Sequence, residues 1–406
     1  MLNPTFSRAL VLGAFCTFHI ASAVAAPTFE TAKVDTVIDQ AMADQRIVGT
    51  VVLVVKDGEL VYQRAAGLAD REQNIAMQED AIFRYASLTK PLVSAAAMRM
   101  VEEGTITLDD TVDRWLPAFK PQMVDGTVVP ITLKQLMTHT AGLRYGFLEG
   151  QDGPYKQANV SDGMNQPGLS LEENLQRIAS VPLSYQPGSS WGYSMSLDVL
   201  GGVLSAASGK SLPEVVELYV TKPLKMQDTA FSITDKARLA VPYQDGKPAP
   251  VKMAANAIVP IGAGAAQFSP ERIFDANSYA SGGAGMAGTA HDFMKFLMEV
   301  RSAQPSIVTA ETLTQMKADQ TGPQANARGP GWGFGYGWAV LADSELAKTP
   351  QANGTIQWGG AYGHSWFFDP VNDVAVIALT NTAFEGMSGA FPRDIRNAVY
   401  EALAKN

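Results

Sequence analysis

Residues 87–90, Ser-Leu-Thr-Lys, place a hydroxyl nucleophile close to an amine that could act as its base. Ser87 and Lys90 are three positions apart, and residues at that spacing share one face of a helix. A serine alone is a weak nucleophile, whereas a desolvated lysine can take up its proton. The apolar segment 91–103 ends at Gly104, which predicts a helix beginning at this motif. The spacing therefore indicates covalent hydrolysis through Ser87, with backbone N–H groups at the helix start near the oxyanion.

A simpler interpretation of the same motif stays open at this point. Serine is common at helix N-termini, and a lysine in the first turn is often a solvated surface side chain. Other hydrolytic chemistries have weaker support. The histidines after residue 25 are His139, His291 and His364, and the sequence has no His-Glu-x-x-His, which disfavours a zinc hydrolase. It also has no Gly-x-Ser-x-Gly, which disfavours an α/β-hydrolase.

The N-terminal segment has the pattern of a secretory signal peptide. Arg8 provides a positive charge, residues 9–20 are apolar but too few to span a bilayer, and Ala23-Val24-Ala25 fits a cleavage site. We therefore expect residues 1–25 to be removed after Ala25 and the protein to be exported, either to the periplasm or out of the cell. The single cysteine, Cys16, would leave with the signal peptide, so we expect no disulfide and no thiolate site in the mature chain.

Composition limits the partners. The 406 residues carry a net charge of -9 with no run of Lys or Arg, which argues against nucleic acid as a partner. No segment after the signal peptide is long and apolar enough to predict a membrane span. The sequence predicts no cofactor and no metal site, and it does not predict an oligomeric state.

Both ends of the chain carry strand patterns, which predicts one sheet built from the two termini. The predicted strands 50–56 and 59–66 lie on either side of an Asp57-Gly58 turn. The predicted strands 355–358, 364–369 and 374–380 lie near the C-terminus. We expect this sheet to use about residues 27–86 and 351–406, with residues 87–350 inserted as a mostly helical lobe and residues 26–406 forming one domain. Segments 147–169 and 243–267 are rich in Pro and Gly and are predicted to be long loops near a binding site.

Four segments together resemble one known family. They are FRYASLTKPLVSAAAMRMVEEGTITLDDTVDRWL at 83–116, LMTHTAGL at 136–143, PGSSWGYSMSLDVLGGVL at 187–204 and QWGGAYGHSWFFDP at 357–370. The chain resembles class C β-lactamases and, more closely, the family VIII carboxylesterases of the EstB type built on the same fold. This resemblance implies a β-lactamase/transpeptidase-like α/β (α+β) fold, with an antiparallel sheet flanked by helices.

The resemblance also assigns roles to individual residues. It implies that Ser87 is acylated and that Tyr193, held as a phenolate by Lys90, takes up and returns the proton. It places an oxyanion hole at the backbone N–H groups of Ser87 and Ala361. Trp358, Gly359 and Gly360, just before Ala361, would contact the substrate.

Two departures from the β-lactamase pattern bear on the substrate. Trp358-Gly359-Gly360 stands where β-lactamases carry Lys-Thr-Gly, so the cation that meets a substrate carboxylate is missing. Met195 stands where those enzymes have a hydrogen-bonding Asn. An indole suits part of a neutral ester, so we expect a small, short-acyl carboxylic ester as substrate. The alternatives are a β-lactamase or D,D-peptidase-like amidase, and a non-hydrolysing penicillin-recognising protein.

Overall fold

The computed structural model describes Met1, residues 29–150 and residues 152–403. The predicted signal peptide, with Arg8, Cys16 and the cleavage site after Ala25, lies outside the described residues apart from Met1. Cleavage and export therefore stay predictions.

The described residues contain fourteen strands and thirteen α-helices. The strands are β1 Gly49–Lys56, β2 Glu59–Asp70, β3 Ile75–Ala76, β4 Phe83–Arg84, β5 Tyr243–Gln244, β6 Val251–Lys252, β7 Ala257–Ile261, β8 Gly264–Phe268, β9 Ala287–Gly288, β10 Trp332–Phe334, β11 Ala339–Leu341, β12 Ile356–Gly360, β13 His364–Asp369 and β14 Val374–Thr380. The helices are α1 Thr31–Ala43, α2 Thr89–Glu102, α3 Val112–Trp115, α4 Leu133–Met137, α5 Pro154–Gln157, α6 Leu171–Ala179, α7 Ser196–Ser208, α8 Leu212–Val216, α9 Ala290–Arg301, α10 Ala310–Lys317, α11 Ser344–Ala347, α12 Glu385–Ser388 and α13 Ala390–Leu403.

Eight strands form one antiparallel sheet that joins the two termini, as the sequence predicts. Its order is β10-β11-β12-β13-β14-β1-β2-β3, so the first strand pairs with the last one along seven residue pairs. Helices α1 and α13 cover one face of the sheet, where Val34, Ile38, Ile395 and Val399 form a core with alternate strand residues. The larger core lies on the other face, against α2, α7 and α9. The sheet therefore holds β12 next to the helical lobe that carries Ser87.

The sheet begins earlier in the C-terminal half than the predicted boundary near residue 351. Strands β10 and β11 add Trp332–Phe334 and Ala339–Leu341 to its edge, inside the segment expected to belong to the helical lobe. Each has three residues, which is too short for alternation of apolar and polar positions to be recognised. The segment between them includes Gly337 at a φ of +100°, a conformation typical of turns.

The segment 243–267 was predicted to be a long loop, yet it contains two short hairpins. Strands β5 and β6 pair with each other, and β7 pairs with β8 over five residue pairs. Pro260 lies within β7, and a proline argues against a central strand because it lacks an N–H donor. It is accommodated because this sheet has only two strands. The β7–β8 hairpin forms part of the cavity described below.

Helices α2 and α7, which flank the site, are apolar on nearly every face. In α2 the buried positions include Leu92, Val93, Ala96 and Met100, and α7 buries its residues from Ser196 to Leu204. A helix that is apolar all round belongs inside the protein. Glycine follows each helix in a left-handed conformation, at Gly104 with a φ of +71° and at Gly209 with a φ of +67°. The predicted end of α2 is thus confirmed to within a residue.

The tight turn between β12 and β13 depends on Gly363. Its φ is +114°, and a Cβ there would overlap the backbone carbonyl of Thr382. We expect Gly363→Ala to lower the free energy of unfolding by about 3 kcal/mol, because strain and overlap add. The matched control is Gly126→Ala, which has a φ of +86° but nothing within 4 Å of the added Cβ, and which should cost about 1 kcal/mol. Urea denaturation measures both, and equal losses would contradict the overlap with Thr382.

Candidate active site

Ser87 lies in a short 3-10 turn that leads directly into α2. The turn spans residues 86–88, and Ala86 is fully buried with a φ of +47°. Such a conformation is strained for a residue with a side chain, and strain of this kind is concentrated at functional sites. The end of β12 packs closely against this turn, since a Cβ on Gly360 would overlap the backbone carbonyl of Tyr85. The glycine therefore lets β12 approach the serine closely.

Three predicted catalytic side chains meet at one oxygen atom. Lys90 Nζ donates a hydrogen bond to Ser87 Oγ at 3.1 Å, and the Tyr193 hydroxyl donates one to the same oxygen at 2.7 Å. Ser87 and Lys90 come from adjacent turns at the start of α2, while Tyr193 comes from the segment before α7, 106 residues away. Two potential proton acceptors are thus within hydrogen-bonding distance of the nucleophile.

Lys90 is enclosed by the protein. Its side chain is fully buried, and Nζ also donates to the backbone carbonyl of Gly283 at 2.7 Å. The amine lies 4.7 Å from the ring centroid of Tyr193 and 5.2 Å from that of Tyr145. These contacts rule out the interpretation of Lys90 as a surface lysine after a helix cap. They also assign a function to the Ser281-Gly282-Gly283 turn, which supplies the carbonyl that positions the amine.

Trp358 contacts Tyr193, the predicted catalytic tyrosine, with its polar edge. Its indole Nε1 donates to the Tyr193 hydroxyl oxygen at 3.3 Å, and the two rings are 5.1 Å apart. The sequence predicted an apolar wall at this position, and the structure adds a hydrogen-bond donor to it. That donor points at the oxygen on which negative charge develops when Tyr193 acts as a base.

We expect Trp358→Phe to lower kcat/KM for p-nitrophenyl butyrate about tenfold. Phenylalanine keeps an aromatic surface but removes one hydrogen bond to a developing charge, which is worth about 1–1.5 kcal/mol. Trp338→Phe is the matched control, because the Trp338 indole nitrogen is buried and has no hydrogen-bond partner among the described residues. Initial rates of both purified variants test this role, which would be wrong if the two changed activity equally.

A small cavity opens at the Ser87 hydroxyl. Its volume is about 170 Å³, and Ser87, Tyr193, Trp358, Gly359 and Ala361 lie in its wall. The rest of the wall is mostly apolar and comes from separate segments of the chain: Tyr145, Phe147, Leu148, Met164, Ile261, Ala266, Ala284, Phe384 and Met387, together with Asp162 and Arg328. A mostly apolar pocket with a few converging polar groups is typical of a small-molecule site.

The predicted substrate-binding residues of β12 differ in their placement. Gly359 and Ala361 line the cavity, whereas Gly360 packs on the turn before Ser87 and is absent from the lining. Gly360 therefore contributes by allowing close packing. The oxyanion hole at the N–H groups of Ser87 and Ala361 stays a prediction, with both residues placed on the same cavity.

Two histidines near the site are buried and hold other residues in place. His139 Nδ1 hydrogen-bonds Ser194 Oγ at 3.1 Å, and its ring lies 4.9 Å from that of Tyr193. His364 Nε2 hydrogen-bonds the backbone carbonyl of Arg84 at 2.8 Å. Burial, followed by the charge of Lys90, holds the pKa of His139 well below its usual value, and burial lowers the pKa of His364 to about 4. Both rings are therefore neutral near pH 7 and act as scaffold.

Sequence reasoning missed two buried carboxyl groups close to the site. Asp162 lines the cavity and accepts a hydrogen bond from the Gly146 N–H at 2.9 Å. Burial raises the pKa of Asp162 to about 7 and the pKa of Asp198 to about 6, with the charge of Lys90 opposing the rise at Asp198. Asp198 lies within apolar α7, and a charged residue in such a helix is the signal that could have revealed it.

The raised pKa of Asp162 predicts a pH dependence of stability. The folded protein binds this proton more tightly than the unfolded chain, whose Asp has a pKa of about 3.9. Its stabilising effect is complete below about pH 4 and is lost as the pH rises towards 7. We expect Asp162→Asn to reduce the loss of unfolding free energy between pH 5 and 8 by about 2 kcal/mol. Urea denaturation at both pH values tests this, and an unchanged loss would contradict it.

Other features of the described residues do not suggest a different site. No group of three His, Cys, Asp or Glu side chains in residues 29–150 and 152–403 is arranged to hold a metal. Within the same ranges no helix is long and apolar enough to cross a membrane. A larger cleft of about 760 Å³, between the segments 213–232 and 275–286, includes neither Ser87 nor Tyr193.

Comparison with known proteins identifies the family. Residues 34–400 match the protein-family model described as Beta-lactamase. The chain belongs to the β-lactamase family. Within it, the chain is 48% identical to Esterase EstB from Burkholderia gladioli over 372 residues, which cover 91% of this chain and 95% of that protein. The family resemblance stated from the sequence is thus confirmed.

Solved structures of the family agree with the fold. The neighbour EstCE1, described as a hydrolase with promiscuous acyltransferase activity, superposes with a TM-score of 0.89 at 44% identity, covering 91% of this chain and 98% of that one. Simvastatin Synthase (LovD) from Aspergillus terreus superposes with a TM-score of 0.73 at 22% identity, covering 93% and 99%, and shows the fold alone. The predicted β-lactamase/transpeptidase-like fold is confirmed. EstB and EstCE1 support the predicted serine ester hydrolase.

Proposed function

We propose that this protein is a carboxylesterase that hydrolyses small, short-acyl esters through an acyl-enzyme on Ser87. The observation that carries the proposal is the shared hydrogen bonding of Ser87 Oγ by Lys90 and Tyr193 beside a mostly apolar cavity. The relatives EstB and EstCE1, an esterase and a hydrolase by name, support the same chemistry. The intact trio argues against a non-hydrolysing binding protein.

The proposed reaction has two steps, acylation of Ser87 and deacylation by water, and Tyr193 transfers the proton in both. Tyr193, as phenolate, takes the Ser87 proton while Oγ attacks the ester carbonyl carbon, and the buried Lys90 ammonium stabilises charge on the tyrosine oxygen. The tetrahedral intermediate collapses, the alcohol leaves with the proton from Tyr193, and the acyl group stays on Ser87. Water then attacks the acyl carbon, gives its proton to Tyr193, and the acid is released as Oγ is reprotonated. The N–H groups of Ser87 and Ala361 would stabilise the oxyanion in both steps.

Esters are favoured over β-lactams by two side chains. Trp358 offers an indole where β-lactamases carry a lysine, and it donates to Tyr193. Met195, at the position of the usual asparagine, is completely buried and offers no amide to a β-lactam side chain. The competing proposal, a β-lactamase or D,D-peptidase-like amidase, requires faster amide than ester cleavage.

Relative turnover tests the proposal. Purified protein is given p-nitrophenyl acetate, p-nitrophenyl butyrate and a chromogenic cephalosporin, and acid-quenched samples are digested for mass spectrometry. We expect fast ester turnover, slow cephalosporin turnover and an acyl adduct on the peptide that contains Ser87. If the cephalosporin is the better substrate, the amidase proposal takes over. An adduct on another peptide would refute Ser87 as the nucleophile.

A second candidate activity is acyl transfer from the acyl-enzyme to an alcohol. The apolar wall around Ser87, which includes Phe147, Met164 and Phe384, favours an alcohol over water as the acceptor. The neighbour EstCE1 is described as having promiscuous acyltransferase activity. Incubation with vinyl acetate and benzyl alcohol in buffer tests this activity. Benzyl acetate beyond the amount formed without enzyme supports acyl transfer, and acetic acid alone refutes it.

We further propose that the protein is exported after cleavage behind Ala25. The N-terminal pattern of Arg8, an apolar run and Ala23-Val24-Ala25 supports this. N-terminal sequencing of protein recovered from periplasm and medium, with the full chain expressed in a Gram-negative bacterium, should begin at Ala26. An intact N-terminus on cytoplasmic protein would refute export.

A further inference from the structure

A second cavity adjoins the ester cavity and has a different character. Its volume is about 240 Å³, and it shares Arg328, Trp358 and Met387 with the cavity at Ser87. Two further arginines, Arg393 and Arg396, lie in its wall, one helical turn apart at the start of α13. We call this the arginine pocket. The three shared residues make the two cavities neighbours.

The arginine pocket contains no acidic side chain in its described lining. This contrasts with a chain whose net charge is -9. Arg396 hydrogen-bonds Asn397 Oδ1 at 2.9 and 3.1 Å, and neither Arg396 nor Arg328 forms an ion pair within the described residues. Arg393 lies 3.9 Å from Asp394, whose carboxylate is closer to Arg46 at 3.1 Å. The positive charges of the pocket are therefore poorly compensated.

The positive charges of the arginines also repel one another. Desolvation, followed by the charge of Arg396, lowers the pKa of Arg328, although Arg328 is exposed to solvent. Desolvation and the charge of Arg393 lower the pKa of Arg396 in the same way. Since guanidinium groups stay charged in proteins, an anion between them would relieve this repulsion.

Trp358 connects the cations to the catalytic groups. The guanidinium carbon of Arg328 lies 5.9 Å from the Trp358 ring centroid, and the polar edge of the same indole hydrogen-bonds Tyr193. A cation is thus present near the position where the sequence lacks the β-lactamase lysine. Arg328 lies in the loop before β10, and the other two arginines of the pocket lie in α13.

We infer that the arginine pocket binds a carboxylate group of the substrate, so that the preferred esters carry a free carboxylate a few bonds from the ester bond. This inference rests on the proposed esterase function. Planar guanidinium groups match a carboxylate with paired, charge-assisted hydrogen bonds. The wall residues that the two cavities share favour a carboxylate carried by the ester itself. The neutral part of the ester would lie against the apolar wall next to Ser87.

Matched ester pairs test the inference. Monoethyl adipate is compared with ethyl hexanoate for a carboxylate on the acyl side, and 3-acetoxybenzoate with phenyl acetate for one on the alcohol side, with proton release measured in a pH-stat. We expect kcat/KM to be at least about tenfold higher for the charged member of one pair. Arg396→Gln should remove most of that preference through a higher KM, with unchanged rates on the neutral esters. Arg64→Gln, which removes an equal charge on β2, should leave the preference for the charged ester unchanged.

Binding without turnover separates this inference from the proposed function. Calorimetry on Ser87→Ala protein should show the charged ester of the preferred pair binding more tightly than its neutral partner, and an added Arg396→Gln should weaken only the binding of that charged ester. If that pattern appears without hydrolysis by the wild type, the anion site stands and the esterase proposal fails. If neither rates nor binding respond to Arg396→Gln, the inference is wrong. Tighter binding of inorganic phosphate than of either charged ester would also overturn it.

Discussion

Ser87→Ala is expected to lower kcat/KM for p-nitrophenyl butyrate by at least about 10⁴-fold, because no other oxygen can form the acyl-enzyme. Lys90 and Tyr193 both donate to Ser87 Oγ in the structure, so the variant leaves two polar groups without their shared partner but keeps the cavity wall. The KM for the remaining slow reaction should change little. Initial rates at saturating and limiting ester measure both quantities.

Ser94→Ala is the matched control for that prediction. Ser94 lies on the same helix, α2, is completely buried, and its hydroxyl has no hydrogen-bond partner among the described residues. Removing its hydroxyl should leave ester hydrolysis unchanged. A loss of activity in Ser94→Ala similar to that in Ser87→Ala would mean that α2 tolerates no change and that the assignment of Ser87 lacks support.

The sheet was predictable where its strands are long and the pattern is regular. The apolar run of β1 and the Asp57-Gly58 turn predicted a hairpin, and the strands near residues 364–380 followed the same reasoning. Strands β10 and β11 could not be found because each is three residues long and gains its stability from pairing within the larger sheet. Strands β5 and β6 have only two residues each, and β7, which pairs with β8 in a separate hairpin, contains Pro260, a residue that argues against a strand.

The active site was predictable in part. The spacing of Ser87 and Lys90 is local and follows from helix geometry, whereas the contact of Tyr193 with Ser87 spans 106 residues and was available only through the family resemblance. The indole hydrogen bond of Trp358 and the burial of Asp162 depend on how separate segments pack together. No sequence pattern indicated that Arg328 would meet Arg396, because the loop before β10 and helix α13 come together only in the folded chain.

Lys90→Met and Tyr193→Phe should each lower the acylation rate about 10³-fold, and the double variant should be little worse than either single one. Tyr193 is the proposed proton acceptor and Lys90 stabilises its charge, so removal of one leaves the other without a function. Both contact Ser87 Oγ, and Lys90 Nζ is 4.7 Å from the Tyr193 ring. Methionine keeps the length of the buried lysine, and phenylalanine removes only a hydroxyl. Single-turnover release of p-nitrophenol gives the acylation rate.

The double variant decides between one proton-transfer unit and two independent bases. Independent bases would make the losses multiply to about 10⁶-fold, whereas a single unit limits the loss to that of the worse single variant. Tyr155→Phe controls for the removal of a buried hydroxyl, because Tyr155 is buried, accepts only the Arg144 N–H and lies outside the cavity lining. It should keep its acylation rate even if its stability falls. Multiplicative losses would mean that Lys90 deprotonates Ser87 directly and that Tyr193 acts on the leaving alcohol alone.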